Sequence, residues 1–362
     1  MNTLKNQSVG RRVTSVCWLP PRAGSAYTDT ELYFVTGLSG SRSKELVLWT
    51  TENPDFKSES ESKPVPPVNE QTLATQVVKA PHDGDVQDIA TVSSDVFATA
   101  SSYGTVSIYD VHHGTSSASD SMLKLRESVT AHRFANGEPA VSTALAAQPV
   151  NSSDAEIASC GEDGRIAYVP LSRLDALQAY EVDSTVVTGV CWPTPAQVAA
   201  STRAGQIKMF DRRSSAEVSA VFLDPSSSYS LECIASHPSQ SFRLAAGTDT
   251  GTIMVWDIRN PKKPHSEVLN VHKSNVWKVQ YHPADSSKIV SCSDDATMAI
   301  TQWAMDNDTA STSARDMLHM SSFFNVLSIG CFDVCPFTST NLLVAGTDSG
   351  NILMEKSPAT GI

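Results

Sequence analysis

The chain has 362 residues and a formal charge of −12, from 27 Lys and Arg against 39 Asp and Glu, so no global basic field exists to hold DNA or RNA. Its seven cysteines are too scattered for a disulfide framework, and Cys17, Cys191, Cys233 and Cys292 fall in apolar runs where a thiol acts as small filler, which points to a reducing compartment. The amino terminus has no apolar leader run and no stretch approaches a membrane span; the expectation is a soluble intracellular protein built as one large all-β domain.

Taken in order, Thr3–Val9 is a short strand-like segment and Val13–Pro20 a first apolar strand. Leu32–Trp49 reads as two strands around a long turn, SGSRSKE. Residues from about 52 to 71 hold Pro, Ser and acid with almost nothing to bury, and read as a disordered loop. Thr72–Lys79 resumes as an outer strand. His82–Ile89 then opens a unit whose hairpin, Phe97–Asp110, places a turn at Gly104. His112-His113 follows that hairpin without Cys, Asp or further His at ligand spacing, so it is read as a strand end and not as a metal site.

The same order recurs downstream. Val141–Ala146, Val186–Trp192, Tyr229–Pro238, His272–Pro283 and Val326–Phe332 each lead into a hairpin. Those hairpins are Ile157–Val169, Val198–Asp211, Arg243–Arg259, Ile289–Trp303 and Leu342–Met354. Outer strands are expected at Met122–Val129, Ala176–Val182, Glu217–Leu223, Val268–Val271 and Met317–Phe324, with polar interruptions that suit a half-exposed rim. Cys331 and Cys335 lack partner ligands and read as core filler.

The hairpin RLAAGTDTGTIMVWDIR (Arg243–Arg259) shows the unit most clearly. Its second run, Ile-Met-Val-Trp, is apolar at every position, so a strand there must be buried on both faces. Turn glycines stand at 104, 164, 205, 251 and 350, with Ala296 in the equivalent place, giving spacings of 60, 41, 46, 45 and 54 residues. A unit of about 40–45 residues with variable loops is the period of WD-type propeller repeats. Seven such units predict an all-β, seven-bladed propeller. The last has room for only three strands, so Thr3–Val9 is expected to close the ring as its fourth.

These residues resemble the WD-repeat family along nearly the whole chain. The resemblance implies a structural tetrad of His272, Ser293, Asp295 and Trp303, linked by hydrogen bonds inside one blade and needing no substrate. Asp163 also keeps the turn acid, whereas Tyr103, Ala204, Thr250 and Ser349 replace it. No Gly-x-Ser-x-Gly elbow or glycine-rich phosphate cradle is present. The chain is therefore read as a non-enzyme without cofactor or metal.

The degenerate first unit (SVCWLPP…FVTG…LVLW) is followed by HDGDVQDI, GEDGRI, GQIKMFD, GTIMVWDIR, NVWKVQYHP and the terminal LLVAGTDSGNI. In that order they are similar to the WD-repeat nucleoporins of the nuclear pore's Y-shaped outer-ring complex. The resemblance implies a monomeric propeller scaffold inside a hetero-oligomer, docked beside a helical-solenoid nucleoporin. It further implies roles in protein import and mRNA export, and residence at pores and mitotic kinetochores. Tyr103, Arg133, Phe134, Arg203, Tyr229, Lys273 and Asn275 are the candidate partner contacts, because they fall in loops and turns of one rim and aromatics and Arg anchor interfaces. An alternative comes from Trp256, Asp257 and Arg259, which resemble the Trp-Asp-x-Arg signature of WD substrate receptors for cullin–RING ubiquitin ligases. Arg259 can equally pair with Asp257 in its own blade.

Overall fold

The computed structural model describes residues 5–21, 31–40, 44–55, 74–112, 122–150, 152, 154–214, 218–223, 228–260, 266–268, 271–302, 317–320, 328–339 and 342–356. They form seven antiparallel sheets of four strands each, the blades of a propeller. Blade 1 comprises Arg12–Trp18, Glu31–Ser39, Glu45–Glu52 and Thr75–Pro81. Blade 2 follows with Val86–Ser93, Val96–Ser101, Thr105–Val111 and Leu123–Thr130. Blade 3 is Ser142–Ala147, Glu156–Gly161, Arg165–Pro170 and Gln178–Glu181, and blade 4 is Val187–Thr194, Gln197–Thr202, Gln206–Asp211 and Val218–Leu223. Blade 5 holds Leu231–Ser236, Arg243–Thr248, Ile253–Asp257 and Ser266–Val268. Blade 6 holds Val276–Tyr281, Lys288–Ser293, Met298–Gln302 and Met317–Met320.

Blade 7 takes three strands from the carboxyl-terminal end, Ile329–Val334, Leu342–Thr347 and Asn351–Lys356, and its outermost strand, Lys5–Ser8, from the other end of the chain. Lys5 pairs with Met354 and Ser8 with Asn351. The expected ring closure through the amino terminus is therefore present; the strand ends at Ser8, one residue before Val9, and Thr3 and Leu4 lie outside the described residues.

Other bounds shift more. The outer strand expected at Val268–Val271 lies at Ser266–Val268, and that expected from Ala176 begins at Gln178, after a short 3-10 turn at Leu174–Ala176. The third strand of blade 6 ends at Gln302; Trp303 lies outside the described residues, as do His113 and the loop expected over 52–71 from residue 56 onward.

Burial on both faces explains why the third strand of blade 5 is apolar from Ile253 to Trp256. Met254 and Trp256 join one apolar cluster with blade 4 residues, while Ile253 and Val255 join another with blade 6 residues. Alternate side chains of one strand thus feed opposite junctions. Seven such clusters lie between successive blades, one per junction, including blade 7 to blade 1. No blade owns a core, so each is stable only between neighbours.

Each first strand carries a bulge at the same place. Val276 pairs with Ser293 and Lys278 with Cys292, leaving Trp277 as the extra residue. The corresponding residues are Thr14, Gln87, Thr143, Thr188, Glu232 and Gly330. All seven line an axial cavity of about 510 Å³. A bulge re-aims one side chain and sharpens the local twist, and here it turns one residue per blade toward the axis.

Candidate docking face

One face of the disc is built from two kinds of connection. The turn between second and third strands meets the loop that enters the first strand of the same blade, and a repeated backbone bond ties them. Ser102 N–H donates to Asp85 O at 2.9 Å, Arg203 to Val186 O at 2.9 Å, Asp249 to Ser230 O at 3.1 Å and Asp294 to Asn275 O at 3.2 Å. Tight turns make this approach possible. A Cβ on Gly251, at φ +84°, would lie 2.1 Å from the carbonyl oxygen of His272. Ala296 holds the equivalent left-handed position at φ 63°.

Below this surface lie the tetrad remnants. His272 Nε2 meets Ser291 Oγ at 2.8 Å, and its Nδ1 lies 2.9 Å from Thr297 Oγ1 and 3.4 Å from an Asp295 oxygen. The serine is therefore Ser291, not Ser293. Both lie on one strand face, but Ser293 is nearer the turn, where its hydroxyl donates to Ser274 O and accepts from Asp295 N–H. The same contact recurs at His132 and Ser159 (2.9 Å) and at His82 and Thr99 (2.9 Å). In blade 3, Asp163 completes it 2.9 Å from His132 Nδ1; in blade 2, Tyr103 stands in the acid's place and His82 Nδ1 turns to Gly84 O.

The station of the aromatic member differs from blade to blade. Pairing registers place Thr301, opposite Ile289, where blade 5 has Trp256 opposite Leu244. Trp303 itself lies outside the described residues. In blade 1 the indole of Trp49 donates to Thr36 Oγ1 at 2.9 Å without any histidine. In blade 5 the station of that acceptor is Ala246, and the buried Trp256 Nε1 has no partner among the described residues. Burial pushes the Asp163 and Asp295 carboxyls up, but their hydrogen bonds and the facing histidines outweigh it and hold both below the usual range. These groups bond one another inside the blade and present nothing to a reactant.

The seven candidate contact residues fall into three places on this face. Tyr103, Arg133 and Phe134 are exposed around the turn of blade 2 and the loop that follows it. Lys44 lies over the Tyr103 ring at 4.7 Å, and Arg133 donates to Gly137 O at 2.9 Å. Arg203 and Tyr229 share a recess of about 420 Å³ between blades 4 and 5, with Arg203 3.7 Å from Glu232. Lys273 and Asn275 belong to blade 6, where the Lys273 N–H donates to Asp295 at 2.8 Å. They form three places on a common face and not one patch.

Trp277 is an exposed aromatic that sequence reasoning missed. It sits at the axial mouth, its indole N–H held by Asp294 at 2.7 Å. Its neighbour Lys278 is enclosed in the channel wall. Burial pulls the Lys278 ammonium down, but the carboxylates of Asp333 and Asp88 outweigh it and hold it above the ordinary lysine range. Asp333 accepts from Trp18 N–H at 2.8 Å and from Gln280 at 3.0 Å, so it ties blade 7 to blades 1 and 6. Asp88 likewise reaches Leu145 N–H of blade 3 at 2.9 Å.

Arg259 is on the far side, at the bottom of blade 5. Its guanidinium meets the Asp257 carboxylate at 2.8 and 2.5 Å and lies 3.7 Å from the Phe242 ring centre. Arg213 repeats the pairing with Asp211 in blade 4 at 3.0 and 2.6 Å. Trp256 is fully buried, so of the Trp-Asp-x-Arg set only the polar end reaches the surface, with its charges already paired.

A β-propeller family described as "Nucleolar protein 10-like, N-terminal domain" matches residues 146–353. The chain is 26% identical to human Nucleoporin Nup43 over 325 residues, spanning 88% of this chain and 80% of the human protein. It is 26% identical to the Arabidopsis thaliana nuclear pore complex protein NUP43 over 41% of this chain and 48% of that one. It is 23% identical to the Xenopus laevis methylosome protein WDR77 over 82% of this chain and 81% of the relative.

Proposed function

The chain belongs to the nucleolar protein 10-like N-terminal β-propeller family, and from that premise we propose a non-catalytic structural role in the nuclear pore. It serves as a scaffold subunit of the outer-ring (Y) complex, holding protein partners together for pore assembly and nucleocytoplasmic transport. The observation that carries this reading is the likeness to a nucleoporin along nearly the whole ring, not at one blade. The partners are protein subunits of the ring, a helical-solenoid nucleoporin among them, and the place is the nuclear pore. The same reading carries mRNA export and, in mitosis, residence at kinetochores.

Physical chemistry supports the choice. A disc whose blades share seven apolar junctions loses little conformational freedom on docking, so more of its contact energy appears as affinity. Its loops can vary without disturbing those junctions. The tetrad remnants and the axial charges bond within and between blades, which suits a part that is held and does not react.

To test this, tagged protein is purified from interphase cells and its partners are quantified. Outer-ring nucleoporins recovered in stoichiometric amount are the expected result. A cullin adaptor recovered in their place, and lost with Arg259→Ala, overturns the scaffold reading in favour of the ligase-receptor one. Because Arg259 is already bound to Asp257 and Phe242, that substitution is expected to leave nucleoporin recovery unchanged.

A further inference from the structure

Six of the seven outermost strands carry an ionisable side chain: Lys5, Lys79, Lys124, Glu181, Glu267 and His319 are examples, one from each. Such residues discourage a free edge from pairing with another chain. Val218–Leu223 of blade 4, sequence VSAVFL, carries none. Val218, Val221 and Leu223 are 37%, 46% and 39% exposed, while Phe222 between them is buried and pins the strand to its sheet. One side pairs with Gln206–Asp211, and no strand among the described residues pairs with the other. A six-residue strand with an apolar exposed flank at the edge of its sheet is a template for strand addition.

Two further observations say what covers it. A second copy laid edge to edge would touch along roughly 20 Å of strand, which cannot supply the roughly 1,200–2,000 Å² of a stable interface between folded discs. An extended segment needs no such area from the disc, since main-chain bonds supply its register. The charge pattern narrows the occupant: a charged side chain set beside Val221 would lose water without gaining a counter-ion from this strand. The fold also already accepts a strand delivered from a distant part of a chain, because Lys5–Ser8 completes blade 7 in that way.

We propose that the outer edge of blade 4 docks an extended segment of a partner subunit, uncharged and apolar at its paired positions, as a fifth strand. Leu223 also lines the recess of Arg203 and Tyr229, so the segment runs on toward the docking face. The inference rests on the scaffold reading and names the contact that one neighbour makes.

Hydrogen–deuterium exchange tests it on the full chain, alone and in complex with its purified outer-ring subunits. The expected result is exchange slowed by about tenfold or more at Val218–Leu223 in the complex, with Leu123–Thr130 of blade 2 unchanged. Val221→Lys combined with Leu223→Lys, both at exposed positions, should lower capture of one partner by about tenfold while leaving the unfolding midpoint in place. A complex that forms without slowing exchange at this strand overturns the inference and leaves the scaffold reading standing. Failure to form any complex overturns both. Protection that grows with the concentration of the protein alone assigns the edge to a second copy and overturns the inference.

Discussion

Two indoles at the same station of different blades meet different fates. Trp49 donates to Thr36, whereas Trp256 faces Ala246 and its buried N–H meets no acceptor among the described residues. Ala246→Ser places a hydroxyl at the station of Thr36, and should raise stability by about 0.5–1.5 kcal/mol in urea unfolding. Ser291→Ala does the reverse for His272, leaving a buried ring nitrogen without its partner at a cost of about 1–3 kcal/mol. The histidines also set a pH dependence. Burial pushes His82, His237 and His282 below their ordinary value of 6.5. As pH falls through 6.5 the unfolded chain takes up protons before the folded one does, so their contribution is complete above 6.5 and declines below it. NMR titration should place the midpoint of these three imidazoles below 6.5, and the melting temperature should be lower at pH 5.5 than at pH 7.5. Coincidence of the midpoints with 6.5 would contradict that expectation.

The strand that closes the ring is held by few ties. Lys5–Ser8 makes four residue pairs with Asn351–Lys356, and Gln7 exchanges two bonds of 3.1 Å with the Ala74 backbone. Deleting residues 1–9 should lower the melting temperature, by roughly 1–1.5 °C for each kcal/mol lost in a chain of this size, and should expose the edge of Asn351–Lys356 to aggregation. Light scattering during a thermal ramp reads both; an unchanged midpoint would show that the terminal strand contributes nothing. Ring closure was legible because the last repeat was one strand short. The bulges were legible in principle and were read past. Val276, Val279 and Tyr281 are spaced three and then two apart, as are Val13, Val16 and Trp18, and Ile329, Phe332 and Val334. That slip of phase is the signature of an extra residue, and strict alternation hid Trp277. The tetrad serine was misplaced for a related reason: Ser291 and Ser293 share one face, and only the distance to His272 separates them. His132 was harder to see, because the eight residues between it and Val141 break the shorter spacing of His82 from Val86.

At the scale of the disc, the apolar clusters come one to a junction, and polar ties cross several of the same boundaries. Lys208 bonds Asp183 at 2.6 Å and Arg212 bonds Glu156 at 2.7 Å, both between blades 3 and 4, while Arg12 bonds Asp348 at 2.6 Å between blades 1 and 7. Such a body presents fixed surfaces, and what it does is decided by what those surfaces meet. Six blades could be read from turn spacing and the first from the apolar runs of Leu32–Trp49, since each repeat must bury two faces. The docking surface could not, because exposure at Trp277 or Val221 depends on bulges and edges that residue type does not encode. The most direct measurement is reconstitution: purified outer-ring complex lacking this subunit, titrated with the protein and weighed by sedimentation. One copy bound per complex, at a mass that stays constant on further addition, is the predicted result; a complex whose mass does not change would contradict the account.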